Sequence, residues 1–138
     1  MRKETKGLIV AKDDHDIIMG YIRNGLHYST FSRQEADGLE AELKKAKLVE
    51  KAALPDDVVC LNSTVTIKEE KGNRVMELTL VTPEHADIKQ RKISILSPIA
   101  AALIGFRKGM QVAWKVPAGL KIFSILDVQK PQPEVAAV

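Results

Sequence analysis

The stretch Ile93-Ser94-Ile95-Leu96-Ser97-Pro98-Ile99-Ala100-Ala101-Ala102-Leu103-Ile104-Gly105 constrains this chain more than any other. Ile93 and Ile95 alternate with Ser94, the period of a strand with one face on a core. Ser97 stands where a helix N-cap belongs, with its hydroxyl expected to accept from a free N–H of the first turn. Pro98 takes the first helical position, where a missing donor is harmless. Three alanines favour helix, and Gly105 is a natural stop. A buried strand running straight into a short buried helix leaves one corner exposed, Ser97-Pro98.

The N-terminal segments, up to Leu54, are mainly helical. Gly7 to Ala11 is a short apolar run with an extended look, and Asp13 and Asp14 offer an N-cap. Ile17, Ile18, Tyr21 and Ile22 then recur at helical spacing up to Asn24-Gly25, a helix of about ten residues. Ser32-Arg33-Gln34-Glu35 reads as a capping box. It opens a second helix of about 16 residues with Ala36, Leu39, Leu43 and Ala46 on one face. Glu40 and Lys44 form an i,i+4 pair. A short loop between two amphipathic helices predicts an antiparallel hairpin with its own apolar seam.

After Leu54-Pro55-Asp56-Asp57 the hydrophobic period becomes two. Val65 and Ile67 alternate with Thr64 and Thr66, Lys71-Gly72-Asn73 marks a hairpin turn, and Val75 to Val81 alternates again. Pro83 to Arg91 is a charged loop. Beyond the organising stretch, Gln111 to Val116 and Leu120 to Val128 read as strands joined by Pro117-Ala118-Gly119. The expectation is an α+β protein: a helical hairpin over residues 1–54, an antiparallel sheet with one crossing helix over 55–130, and a loose tail over 131–138.

Composition removes several function classes. With 21 basic and 18 acidic residues, the net charge of +3 does not by itself mark a nucleic-acid binder. Cys60 is the sole cysteine, so no internal disulfide or thiolate metal cluster can form. No window has the apolar length of a membrane span, and the uncharged run after the basic N-terminus is too short for a signal peptide. A cytoplasmic location is expected. No Gly-rich phosphate loop is present. His15, His27 and His85 share no ligand spacing. Glu35 and Asp37 do not share a helix face, so no metal and no cofactor is expected.

Several short motifs in order carry a resemblance. Ala86-Asp87-Ile88-Lys89, Lys92-Ile93-Ser94, Ser97-Pro98-Ile99, Ala102-Leu103-Ile104-Gly105, Val116-Pro117-Ala118-Gly119 and Ile125-Leu126-Asp127-Val128 are similar to the C-terminal domain of the Gre transcript-cleavage factors. The match spans roughly residues 57 to 129. It implies an FKBP-like sheet and helix that docks on bacterial RNA polymerase, with Leu96, Ser97, Pro98 and Ile99 at the contact. Leu96 stands where Gre factors often carry a polar residue. Those factors also carry a long coiled coil whose tip acids help bind a catalytic magnesium ion in the polymerase secondary channel. Here the hairpin is short, and residues 25–32 contain no acid. With Ala41-Glu42-Leu43, Pro55-Asp56-Asp57-Val58-Val59 and Leu61-Asn62-Ser63, this resembles the short-hairpin branch of the family, the regulators of nucleoside diphosphate kinase.

Two readings of each candidate stay open on sequence alone. Ser97-Pro98 is either a helix cap only or a partner contact. His27, Tyr28 and Phe31 at the hairpin tip are either a contact surface or a fold-back, with Phe31 stapled on Ala36. Lys89, Arg91, Lys92, Arg107, Lys108, Lys115 and Lys121 are either a solvated face or a weak contact to RNA, DNA or an acidic polymerase surface. The leading function is a monomeric, non-enzymatic polymerase-binding regulator that does not stimulate cleavage. The alternatives are a true Gre-type elongation factor and an FKBP-like peptidyl-prolyl isomerase. The isomerase would need an aromatic-lined pocket, built from Phe106, Trp114 and Phe123.

Overall fold

Alternation places Val65 and Ile67 of β3 (Thr64–Glu69) fully inside, while Thr64 and Thr66 stay half-exposed. In the computed structural model, which describes residues 8–24, 33–116 and 119–131, β3 pairs antiparallel with β4 (Arg74–Val81) across the Gly72-Asn73 turn. The sheet also contains β5 (Lys92–Ser94), β6 (Gln111–Val116) and β7 (Gly119–Gln129), in the order β5-β4-β3-β7-β6. The long β7 inserts between β3 and β6, antiparallel to both. A bulge at Leu126 lets Ile67 face Ile125 while Thr66 faces Asp127.

One pair departs from the antiparallel expectation. β5 runs parallel to β4, with Thr79 opposite Lys92 and Val81 opposite Ser94. Residues 82–91 make two tight 3-10 turns that carry the chain back along the edge of β4, so β5 starts again in the same direction. The sheet is mostly antiparallel, and the chain is α+β.

The N-terminal part holds a strand that the periodicity does not announce. β1 (Ile9–Ala11) leads into α1 (Lys12–Asn24), α2 (Arg33–Lys45) follows, and β2 (Lys47–Val49) returns parallel to β1. The second helix ends near Lys45, short of the predicted length, because the Lys47 N–H donates to the Leu8 carbonyl at 2.9 Å. Ala36, Leu39 and Leu43 are buried as expected, and Lys44 reaches Glu40 at 3.6 Å. Ile17 is 42% exposed, however, and Met19 is buried in its place. Ser32, the expected cap, lies outside the described residues.

The predicted separate seam is also corrected. Ile18, Met19, Ile22, Leu39 and Leu43 belong to the same buried cluster as Val65, Ile67, Leu80, Leu103, Phe106 and Phe123. Three contacts fasten the helices to the sheet. Gly105, with φ of +86°, donates to the Val59 carbonyl and accepts from the Ile9 N–H. A Cβ there would meet Leu8 at 3.3 Å and Val10 at 3.4 Å, so the close approach and the positive φ both require glycine. The Tyr21 hydroxyl donates to Glu84, which lifts the Tyr21 pKa and lowers that of Glu84.

Asp14 makes the third contact. The helix starts at Lys12, so Asp13 and Asp14 fall inside its first turn instead of capping it. Asp14 is 1% exposed and accepts the Leu61 N–H at 3.1 Å, with Lys51 Nζ at 3.7 Å. Burial raises its pKa above the usual aspartate range, against the lowering effects of Leu61 and Lys51. A carboxyl whose folded pKa is raised contributes stability below its unfolded pKa and loses it as pH rises through the folded value. Asp14→Asn keeps an acceptor for Leu61 but cannot titrate. The stability of the parent relative to Asp14→Asn, read by urea unfolding, should grow as pH falls from neutrality toward about 4. A difference that is flat across this window would contradict the burial of the charge.

Candidate functional site

The Ser97-Pro98 corner is built by five local hydrogen bonds. The Ile95 N–H donates to the Val81 carbonyl at 2.7 Å, tying the end of β5 to β4. The Leu96 N–H donates to Ser94 Oγ at 2.9 Å. Ser97 donates twice to the Ser94 carbonyl, from its N–H at 3.1 Å and from its Oγ at 2.7 Å. The Ala101 N–H then donates to the Ser97 carbonyl, the first bond of α3 (Pro98–Leu103).

This geometry corrects one detail and refines another. Ser97 has the extended backbone of an N-cap, and Pro98 opens the helix as expected, but the Ser97 hydroxyl points back to Ser94 and caps no helical N–H. The Ser94 carbonyl thus accepts from both the N–H and the hydroxyl of Ser97, so the hydroxyl closes the turn instead of capping the helix. Leu96 is 7% exposed and packs in the main core, so its side chain presents little to a partner. The accessible part of the corner is Ser97, Pro98 and the outer side of Ile99, all half-buried. Ala100, Ala102 and Leu103 anchor the helix from below.

The other candidates separate in space. His27, Tyr28 and Phe31 lie outside the described residues. His15 sits beside Asp16, and His85 shares a hydrogen bond with Thr82 at 3.0 Å. Among the described residues no group of three His, Cys, Asp or Glu side chains could hold a metal ion. Cys60 is buried, which pushes its thiol pKa up. Phe106 and Phe123 are both interior, spent on the core and not on a pocket. A shallow groove at one end of the sheet is lined by Glu69, Glu70, Lys71, Gly119, Leu120, Lys121 and Ile122, with no aromatic group.

The basic excess divides into two sets, apart from Lys115, whose side chain lies outside the described ones. Arg107 pairs with Asp57 at 3.1 Å, Lys108 with Asp127 at 3.6 Å and Lys121 with Glu69 at 3.5 Å. Lys89, Arg91 and Lys92 make no ion pair among the described residues. Two features escaped sequence reasoning: the exposed Ile88, visible as an apolar residue inside a charged loop, and the Tyr21–Glu84 contact, which has no local signal.

The class is α+β: a mostly antiparallel sheet entered through a strand-to-helix corner, with a helical pair packed on its core. Residues 54–130 match the model of the "Transcription elongation factor, GreA/GreB, C-term" family, and the chain belongs to that family. It is 34% identical over 102 residues to the regulator of nucleoside diphosphate kinase of Escherichia coli K12, covering 73% of this chain and 74% of that one. It is 39% identical over 92 residues to the transcription elongation factor GreA of Syntrophomonas wolfei, covering 67% of this chain and 58% of that one. The structure is similar to a prokaryotic transcription elongation factor GreA/GreB from Nitrosomonas europaea, with a TM-score of 0.73 at 31% identity, covering 89% of this chain and 98% of that one. No helix among the described residues is long and apolar enough to cross a membrane.

The two serines of the corner should differ in their cost. Ser97→Ala loses one neutral hydrogen bond, a loss of about 1 kcal/mol. Ser94→Ala leaves the Leu96 N–H without its acceptor beside a buried side chain, so about 1–3 kcal/mol is expected. Urea unfolding of the two variants checks the order, and a larger loss for Ser97→Ala would contradict this account of the turn.

Proposed function

We propose that this protein is an RNA polymerase-binding transcription regulator that docks near the secondary channel as a monomer and does not stimulate transcript cleavage. In this reading residues 55–130 form an FKBP-like docking module, residues 1–54 form the helical arm, and the Ser97-Pro98 corner is the contact. It works in the cytoplasm, where the polymerase is, and any contact with RNA or DNA is made inside that complex. Membership of the GreA/GreB family supports the choice of partner.

One observation supports the absence of cleavage stimulation more than any other. The Tyr21 hydroxyl is held by Glu84 only three residues before α1 ends at Asn24. The helix is about 20 Å long, and it is fastened to the sheet domain near both ends. Little of it is left to project, and residues 25–32 bring no acid. A carboxylate pair cannot be delivered to a distant metal by this arm. The purified protein added to a backtracked elongation complex should therefore leave the RNA uncut, and it should slow cutting by an authentic Gre factor by competition. Robust cutting by this protein alone would overturn the reading.

The corner makes the second prediction. Its hydrogen bonds leave little to order on binding, so its surface is preorganised. Pro98→Arg replaces a fixed apolar group with a long charged one at a position whose side chain can point outward. It should weaken equilibrium binding to core polymerase by at least about tenfold, or 1.4 kcal/mol, with an unchanged circular dichroism spectrum. Tyr28→Ala should cost less. The reverse order would move the docking surface to the arm.

A further inference from the structure

The loop at the start of β5 is an exposed apolar knob on a rigid base. Ile88 is 78% exposed, far more than any other large apolar side chain noted among the described residues. Exposure of this kind is ordinary on a mobile loop, but this loop is tied at every step. The N–H groups of Asp87 and Lys92 donate to one another's carbonyls at 2.9 and 3.0 Å. The Gln90 N–H donates to the Asp87 carbonyl, and the Arg91 N–H to the Ile88 carbonyl, both at 3.0 Å. Asp87 Oδ1 accepts the Lys89 N–H at 3.1 Å, and the Arg91 carbonyl accepts the Thr79 N–H at 2.9 Å. Ile88 is therefore presented to solvent in a fixed position.

A collar of positive charge surrounds the knob. Lys89 and Arg91 are exposed, Lys92 is half-buried, and none of the three has an acidic partner among the described residues. The two acids of the same loop are outnumbered by these three cations, and each accepts a hydrogen bond from a neutral donor, Asp87 from the Lys89 N–H and Glu84 from the Tyr21 hydroxyl. Three other basic residues of this half, Arg107, Lys108 and Lys121, each sit beside a carboxylate.

We infer that Ile88 with Lys89, Arg91 and Lys92 forms a second docking point, which inserts the isoleucine into an apolar socket on an acidic protein surface of the polymerase. The inference rests on the polymerase-binding reading and names the partner chemistry at a place apart from the corner. The loop and the corner flank the three-residue β5, about 10 Å along one sheet edge. That is well inside the patch of about 800 Å² that one partner covers in a stable complex. A protein partner fits better than a nucleic acid. Residues 87–92 offer no aromatic face for a base to stack on, whereas an isoleucine gains by leaving water for an apolar socket. The cations supply attraction and orientation, which salt screens.

The test is equilibrium binding of the full chain to core RNA polymerase at low and high salt, with circular dichroism and urea unfolding as folding controls. Ile88→Ser should weaken binding about tenfold at both salt concentrations. The double variant Lys89→Glu/Arg91→Glu should weaken it at least as much at low salt and flatten the salt dependence. If the parent itself fails to bind polymerase, the polymerase reading falls and this inference with it. If the parent binds and Pro98→Arg does not, while both loop variants bind like the parent, the polymerase reading stands and the second docking point is overturned. If the charge reversal alone weakens binding, and also abolishes binding to a short single-stranded RNA, the loop is a nucleic-acid contact and the inference is overturned.

Discussion

The Asp14 carboxylate accepts a backbone N–H from Leu61, 47 residues later in the chain, in a place almost closed to solvent. An unpaired N–H or an unpaired carboxylate at that depth would each be costly, so the two must stay together. That requirement sets the height of α1 over the sheet. Tyr21 sits two turns further along the same helix and meets Glu84, which sets its direction. Leu8 and Val10 close on Gly105 at the end of α3. With position, direction and entry point all fixed, Ile18, Met19 and Ile22 are placed in the same core as Leu103 and Phe106.

Elements made by neighbours in sequence were legible, and elements made by distant partners were not. β3, β4, β6 and the bulk of β7 follow from alternation, and α2 from the spacing of Ala36, Leu39 and Leu43. β2 did not show because three residues, Lys47 to Val49, carry no usable period and become a strand only by pairing with β1. The direction of β5 was hidden for a similar reason, since two 3-10 turns in the preceding loop decide it. Two adjacent aspartates at a helix start resemble a cap, and nothing local says that one of them is buried. The apolar stripe of α1 shifts from Ile17 to Met19 because the sheet domain occupies one side of the helix.

The corner was legible as a place more than as a set of contacts. Serine before proline at a strand-to-helix junction has few other arrangements, and the structure puts it there. The direction of the Ser97 hydroxyl depended on the competing Ser94 carbonyl, and the burial of Leu96 on the packing behind it. The charged residues were the hardest to sort. A list of lysines and arginines cannot distinguish Arg107, with Asp57 beside it, from Arg91, which makes no ion pair among the described residues. The distinction comes from the fold, which brings residue 57 to residue 107.

The core shared by helices and sheet has a consequence for how such a chain can be altered by recombination. A crossover near Leu54 appears neutral in sequence, since it separates helices from strands. In the structure it parts Leu8 and Val10 from Gly105, Asp14 from Leu61, and Tyr21 from Glu84. A chimaera joining this arm to a foreign sheet domain would inherit one half of each pair, with an acid buried against a backbone that no longer offers its N–H. The two halves must therefore be inherited together, and an arm from a longer relative can be accommodated only if its matching residues on the sheet come with it.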